Sequence, residues 1–300
     1  MSQDISIFDF LKNCNKPTLL VITGPTAVGK SDFAIQVADY LNTSIISADS
    51  RQFYKELKIG TAAPSMEQLN KVPHYFIGHL SIMDYYSVSK FEQDVLSLLP
   101  SLFEKSPVVI MTGGSGLYID AVCKGIDDLP DCDLEIRSRV INLYKEGGIE
   151  ELRRQLKFLD PDFYQTTDIA NHKRLMRAIE VSLQTGKPYS SFLKAVSKTR
   201  FFDIHKYCLV RNRNDLFERI NHRVDEMMEM GLLNEVKSLY KYKEHNALNT
   251  VGYKELFDYL DGKCTLEEAI SDIKTDTRRY AKRQLTWFKR DGQYEEIILS

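Results

Sequence analysis

The chain is short of the features that mark membrane, secreted and zinc-stapled proteins. Its 300 residues hold five cysteines, Cys14, Cys123, Cys132, Cys208 and Cys264, scattered, odd in number and without a C-x-x-C pair. That pattern argues against a disulfide framework and a zinc site, and it suits reduced thiols in a cytosol. No apolar run approaches 18 residues, so no membrane-spanning helix is expected. Met1 to Lys16 carries acids among its apolar residues and lacks the basic start of a signal peptide. A cytoplasmic protein with no membrane partner is therefore expected. Neither charge sign dominates: 40 Lys and Arg against 42 Asp and Glu leave −2, so any nucleic-acid binding must come from local patches. There is no internal repeat and no low-complexity segment. A hydrophobic content of 43% is enough to bury a sizeable core, in one large domain or two smaller ones.

What is present is organised around Gly24-Pro25-Thr26-Ala27-Val28-Gly29-Lys30-Ser31, which fits G-x-x-x-x-G-K-[ST]. Thr18 to Ile22 before it reads as a buried strand. Phe33, Val37 and Leu41 after it, with Ala34 and Ala38 beside them, repeat at helical spacing. A strand, a glycine-rich turn and a helix N-terminus aim several N–H groups at one point, where the helix dipole also favours negative charge. Lys30 adds a point charge and the Ser31 hydroxyl can hold Mg²⁺. The loop is expected to bind a di- or triphosphate.

A second strand, Ser44 to Ala48, ends at Asp49. Ligands of open parallel sheets sit at the carboxyl ends of strands, so Asp49 can face the same phosphates, orienting Mg²⁺ or taking a proton from a nucleophile. A turn or cap aspartate is the plainer alternative. Val72 to Ile77 reads as a short strand, Ser89 to Leu102 as a helix, and Pro107 to Thr112 as a buried strand running into Gly113-Gly114-Ser115-Gly116. No acid ends that strand, unlike the Walker-B strand of many P-loop NTPases, which counts against an ordinary ATPase. From about Ala121 to Lys198 the strand–helix alternation stops, leaving helical stretches at Asp133–Lys145, Ile149–Phe158 and Asn171–Gln184. His205 to Val210 returns to the sheet, and Asp215 to Tyr240 has helical spacing. Along it Arg219 and Arg223, four apart, can converge on one anion. Asn249 to Lys254 forms a loop around Gly252. The last long helix opens with the capping-box pattern Thr265-x-x-Glu268. Its stretch Ser271 to Arg290 holds seven basic residues against two acids, interleaved with Tyr280, Trp287 and Phe288. Such a concentrated positive surface neutralises phosphates. Lys173, Arg174 and Arg177 form a second basic cluster beside the apolar Leu175, Ala178 and Ile179, for which a solvated helix face is the plainer explanation.

The expected fold is thus α/β, a P-loop NTPase-like parallel sheet flanked by helices. Residues 1–120 and 199–300 form the catalytic core with its basic C-terminal helix, and 121–198 form a small all-helical insertion.

In order along the chain, GPTAVGKS (24–31), DSRQFYK…IGTAAP (49–64), VPHYFI (72–77), YSVSKF (86–91), GGSGLY (113–118), KRLMRAIEV (173–181), RINHRVDEMMEMGLLNEV (219–236), VGYKEL (251–256) and TRRYAKRQLTWF (277–288) are similar to blocks of the tRNA dimethylallyltransferase family, also called tRNA isopentenyltransferases. The P-loop alone is common; the combination with Asp49-Ser50-x-Gln52 and AKRQLTWF is specific. The resemblance implies that Gly24 to Ser31 hold the diphosphate of dimethylallyl diphosphate, and that adenosine 37 beside a tRNA anticodon is flipped into a channel and prenylated at N6. Asp49 would be the base, with Lys30, Arg223 and Mg²⁺ at Ser31 around the leaving group. Tyr253 with its neighbours Asn249, Thr250, Val251, Gly252 and Lys254 would contact tRNA. So would Asp49, Ser50, Arg51, Gln52, Ser115, Arg137, and the run Lys173, Arg174, Leu175, Met176 and Arg177. Arg278, Arg279, Lys282 and Arg283 are added from the basic helix. Many relatives have an apolar residue in place of Arg51, which suggests an added RNA or diphosphate contact here. A bacterial-type form, without the Cys/His tail of eukaryotic relatives, is expected from the resemblance, and so is a monomer. The rivals are a P-loop small-molecule kinase, a prenyltransferase acting on free adenine nucleotides, and a non-catalytic RNA-binding protein.

Overall fold

The computed structural model describes residues 8–194 and 197–299. Six strands form one sheet in the order β3-β2-β4-β1-β5-β6, with every neighbouring pair parallel. They are β1 (Thr18–Thr23), β2 (Ile45–Ser47), β3 (His74–Tyr75), β4 (Val108–Thr112), β5 (Asp203–Val210) and β6 (Glu295–Ile298). All six residues of β1 are buried, because helices cover both faces of the sheet and leave no strand face for polar residues. Leu20 and Ile22 join one core with Val37 and Ile220, while Leu19 and Val21 join another with Phe91, Val95 and Ile119.

The helices that position the site are α1 (Lys30–Leu41), α2 (Val88–Phe103), α3 (Gly116–Lys124), α4 (Leu134–Leu159), α5 (His172–Thr185), α6 (Arg213–Glu229), α7 (Leu232–Leu239), α8 (Tyr253–Leu260) and α9 (Leu266–Asp291). Two compact units result, residues 1–124 with 199–300, and residues 125–198. The first unit runs past residue 120 because α3 continues to Lys124, burying Ile119, Val122 and Cys123 against the sheet. A third core in that unit lies among α6, α7, α8 and the start of α9, around Leu232, Val236, Leu256 and Ile273. The helical unit has its own core of Val140, Leu152, Leu156, Leu175 and Ile179.

Several boundaries differ from the sequence expectation. The segment Val72 to Ile77 pairs only at His74 and Tyr75. Asp215 to Tyr240 is two helices, because Gly231 takes a left-handed conformation (φ 98°) and restarts the chain as α7. Helix α4 is interrupted at Gly148 (φ 64°, ψ −159°), between the two expected helical stretches. β6 was not anticipated, since only Ile297 of its four residues is buried. The capping box of α9 forms: Thr265 Oγ1 accepts the Glu268 N–H (3.2 Å) and Glu268 accepts the Thr265 N–H (2.8 Å).

Candidate active site

β1 hands the chain to the phosphate loop, which ends at the N-terminus of α1. Gly24 (φ 146°) must be glycine, because a Cβ there would stand 2.6 Å from the Leu209 carbonyl oxygen. Gly29 caps α1 at φ 109°. Ala27 (φ 64°) also adopts a left-handed conformation that an L side chain rarely takes. Lys30 folds back over the loop and donates to the Pro25 carbonyl (2.8 Å). Burial drives its pKa down to about 8, the Asp49 carboxylate pulls the other way, and Arg223 adds to the lowering. Two charged groups, Asp49 past the end of β2 and Arg223 of α6, therefore act on one ammonium.

Lys30, Ser31, Asp49, Gln52, Thr112 and Gly113 line a single cavity of about 40 Å³, with Ile45, Pro64, His74 and Ile77 completing its wall. Its polar side comes from the ends of β1, β2 and β4, where an open parallel sheet collects ligands. Gly113 explains why no side chain follows Thr112 here: a Cβ would overlap the Ala48 carbonyl. One Asp49 oxygen accepts the Arg51 N–H (3.0 Å), so the carboxylate both caps its own turn and faces the cavity. Arg223 lines a second cleft, of about 400 Å³, with Arg219, His222, Glu226 and Ala27 of the phosphate loop. Arg219 donates from Nε to the Ala27 carbonyl (3.0 Å), which fixes the left-handed turn. Burial and the neighbouring Arg219 lower the Arg223 pKa.

The residues after Asp49 are tied down by hydrogen bonds. Ser50 N–H donates to Ser115 Oγ (3.0 Å). Gln52 accepts from Ser47 Oγ and donates to the Thr61 and Ala62 carbonyls (3.2 Å each). Arg51 clips the 246–249 turn by donating to the carbonyls of Asn246 (2.9 Å), Ala247 (3.1 Å) and Asn249 (3.4 Å). Its guanidinium is thus engaged by backbone carbonyls. Two residues carried as tRNA contacts have side chains inside the fold. Leu175 is 0% exposed in the helical core, and Tyr253 is 0% exposed in the core around α8, since both have apolar bodies on the inner face of their helices. They shape the surface; their side chains do not reach it. Gly252 is buried too, while Asn249 and Lys254 are exposed and Thr250 and Val251 lie between.

On α9, Arg279, Lys282 and Arg283 are exposed, whereas Arg278 is spent on α6, donating to Asn221 Oδ1 (2.6 Å) and lying 5.9 Å from the Phe217 ring centre. In the helical unit Lys173 and Arg174 are exposed, Met176 packs on the core, and Arg177 donates to the Pro130 carbonyl (2.9 Å). Arg137 and Arg177 both approach the buried Glu180, at 4.0 and 3.6 Å. One residue was missed from the sequence. Gln284, on the buried side of α9, accepts the Thr26 N–H (2.8 Å) and donates to the Gly114 carbonyl (3.0 Å), joining the phosphate loop to the loop after β4. Ala281, Gln284 and Phe288 fall at helical spacing on the inner face, and a polar residue in that stripe must find partners.

A profile of the IPP transferase family matches residues 52–291, 240 of the 300. The chain belongs to the IPP transferase family. Among curated relatives, tRNA dimethylallyltransferase 1 of Bacteroides thetaiotaomicron is 52% identical over 92% of this chain and 90% of its own length. The Bacteroides fragilis protein of the same name is 52% identical, with 92% of both chains covered. Two solved structures share the α/β fold with its parallel sheet. The tRNA isopentenylpyrophosphate transferase of Bacillus halodurans matches with a TM-score of 0.67 at 35% identity, covering 94% of this chain and 90% of that one. A eukaryotic dimethylallyltransferase described as acting on tRNA matches with a TM-score of 0.77 at 27% identity, covering 94% and 74%. Among the described residues of this IPP transferase, no three His, Cys, Asp or Glu side chains gather as a metal cluster, and no helix is long and apolar enough to cross a membrane. Mg²⁺ commonly takes one or two protein oxygens and completes its shell with phosphates and water. The Ser31 hydroxyl and Asp49 in one cavity fit that need.

Proposed function

We propose that this IPP transferase moves the dimethylallyl group of dimethylallyl diphosphate to N6 of adenosine 37 in tRNA. What supports this reading is that Lys30 and Ser31, at the N-terminus of α1, and Asp49, past the end of β2, line one cavity in a chain about half identical to tRNA dimethylallyltransferases. The diphosphate lies on the loop Gly24–Ser31, with Lys30 and Arg223 opposing its charge. N6 bonds to the allylic C1 as the C1–O bond breaks, and that electron pair leaves with the diphosphate. Asp49 takes the N6 proton. An exocyclic amine is a weak nucleophile, so a nearby base and preorganised cations are the terms that accelerate the step. Mg²⁺, when bound at Ser31, adds charge neutralisation on the leaving group. Unstacking the adenosine costs about a few kcal/mol, which phosphate contacts to Arg279, Lys282 and Arg283 offset. The protein works in the cytoplasm as a monomer. Incubation with dimethylallyl diphosphate and unmodified tRNA, followed by nucleoside mass spectrometry, tests the reading. N6-dimethylallyladenosine at position 37 is expected, and an unmodified tRNA with both substrates saturating would refute it.

A further inference from the structure

Glu235 sits in the first turn of α7, far along the chain from Asp49, yet three of the four hydrogen bonds to its carboxylate come from the loop that follows Asp49. One oxygen accepts the N–H groups of Lys58 (3.1 Å) and Ile59 (2.9 Å). The other accepts the Gly60 N–H (3.1 Å) and the Tyr253 hydroxyl (2.6 Å). A carboxylate has about four acceptor sites, and hydrogen bonds to an ionised acceptor are roughly twice as strong as neutral ones. Burial and the adjacent carboxylate raise the Tyr253 pKa, so the phenol stays a donor. The fit is close: a Cβ on Gly60 would stand 2.5 Å from the Tyr253 ring.

This clamp connects to the cavity on both sides. Just past Gly60, the Thr61 and Ala62 carbonyls hold the Gln52 amide, and Pro64 of the same loop stands beside Gln52 and Asp49 in the cavity wall. Ala62 is held at φ 48°, a conformation that persists only when its surroundings over-determine it. In the other direction, Tyr253 follows the 246–249 turn, whose carbonyls hold Arg51. Together with the short run of chain from Asn249 to Tyr253, the hydrogen bonds close a ring, from the Asp49 turn through loop 58–62, Glu235, Tyr253 and the 246–249 turn, and back through Arg51. None of these bonds touches residues 24–31.

We propose that Glu235 is a positioning residue for the transfer step: it holds loop 58–62, and through it the Gln52 side chain and the Pro64 wall, in the geometry in which Asp49 meets the acceptor. The inference rests on the function proposed above. Because small misplacements far from the chemistry can cost about 10²-fold, Glu235→Gln should slow single-turnover transfer about 10- to 100-fold with both substrates saturating, well below the melting temperature. Its amide group would point donors at donors. Amide exchange at Lys58, Ile59 and Gly60 should accelerate, while the Kd of dimethylallyl diphosphate stays within about twofold of wild type. Tyr253→Phe removes one of the four bonds and should slow transfer by about three- to tenfold. A wild-type rate for Glu235→Gln, with or without faster exchange, would make Glu235 a brace of the fold only and overturn the proposal. If Glu235→Gln does not fold, Tyr253→Phe decides alone: slower transfer supports the proposal and a wild-type rate overturns it. Wild-type protein inactive on dimethylallyl diphosphate and tRNA would sink the proposed function itself, and this is seen before any variant is made.

Discussion

Lys30 and Lys282 are both lysines placed to meet phosphate, in opposite surroundings. Lys30 is half-buried at the mouth of α1, bonded to the Pro25 carbonyl, with its pKa pushed down to about 8 mainly by burial. Lys282 is exposed on α9 between Arg279 and Arg283, with solvent around its charge. A charge in a water-poor cavity acts strongly over a short range, whereas an exposed one is weakened by the solvent dielectric and screened by salt. The phosphate loop and cavity should therefore govern rate through a few groups with large effects. The outer face of α9 should govern RNA affinity through several small, salt-dependent ones.

Of the two lysines, the larger effect is expected at Lys30. Lys30→Ala should lower the transfer rate by about 10²-fold or more through lost stabilisation of the leaving diphosphate, with tRNA affinity barely changed. Single-turnover rates beside tRNA binding isotherms would show the split, and turnover at the wild-type rate would remove this loop from the donor site.

A smaller effect follows from the displaced pKa. Burial favours the neutral amine, so Lys30 gives up its proton as pH rises through about 8 in the free protein. The value of kcat/KM for the donor should fall by up to about tenfold per pH unit above that point. At saturating donor, kcat should hold to higher pH, because bound diphosphate favours the ammonium. Arginine does not titrate in this range, so Lys30→Arg should lose the alkaline fall even at a lower absolute rate. A pH–rate profile flat to pH 10 in the wild type would show that the charge of Lys30 is not used.

The smallest effect belongs to the exposed helix. Replacing Lys282 and Arg283 with Ala should flatten the salt dependence of tRNA binding by about one unit of slope per lost phosphate contact, leaving donor affinity unchanged. Arg278→Ala should behave differently, since its guanidinium is bonded to Asn221: melting temperature should fall while the salt slope stays. Equal slopes for wild type and the Lys282/Arg283 variant would return this face to plain solvation.

The same contrast separates what was legible in the sequence from what was not. The phosphate loop is written in consecutive residues whose types each have a local reason, so loop, strand and helix could be read together. Asp49 could be placed at a strand end, and one of its oxygens does cap the turn that the plainer reading required. The connections between segments were not legible. Gln284 meets Thr26 across 258 residues and Glu235 meets Ile59 across 176, and no local pattern specifies such a pairing. Leu175 and Tyr253 show that a residue inside a matching block can have its side chain in the core instead of at the surface. Arg51, which looked available for a ligand, is used to hold the 246–249 turn.

The central claim is that the cavity of Lys30, Ser31 and Asp49 carries out the transfer with Asp49 as the base. Asp49→Asn keeps the shape and an acceptor oxygen for the Arg51 N–H, and asparagine is about as good as aspartate in a cap or turn. It cannot take the N6 proton. Single-turnover prenylation with saturating tRNA and dimethylallyl diphosphate, with melting temperature as the control for folding, separates the two roles. The account predicts a folded variant that binds both substrates and has lost orders of magnitude in the chemical step. A near-normal rate with normal melting would contradict it and leave Asp49 as a turn residue.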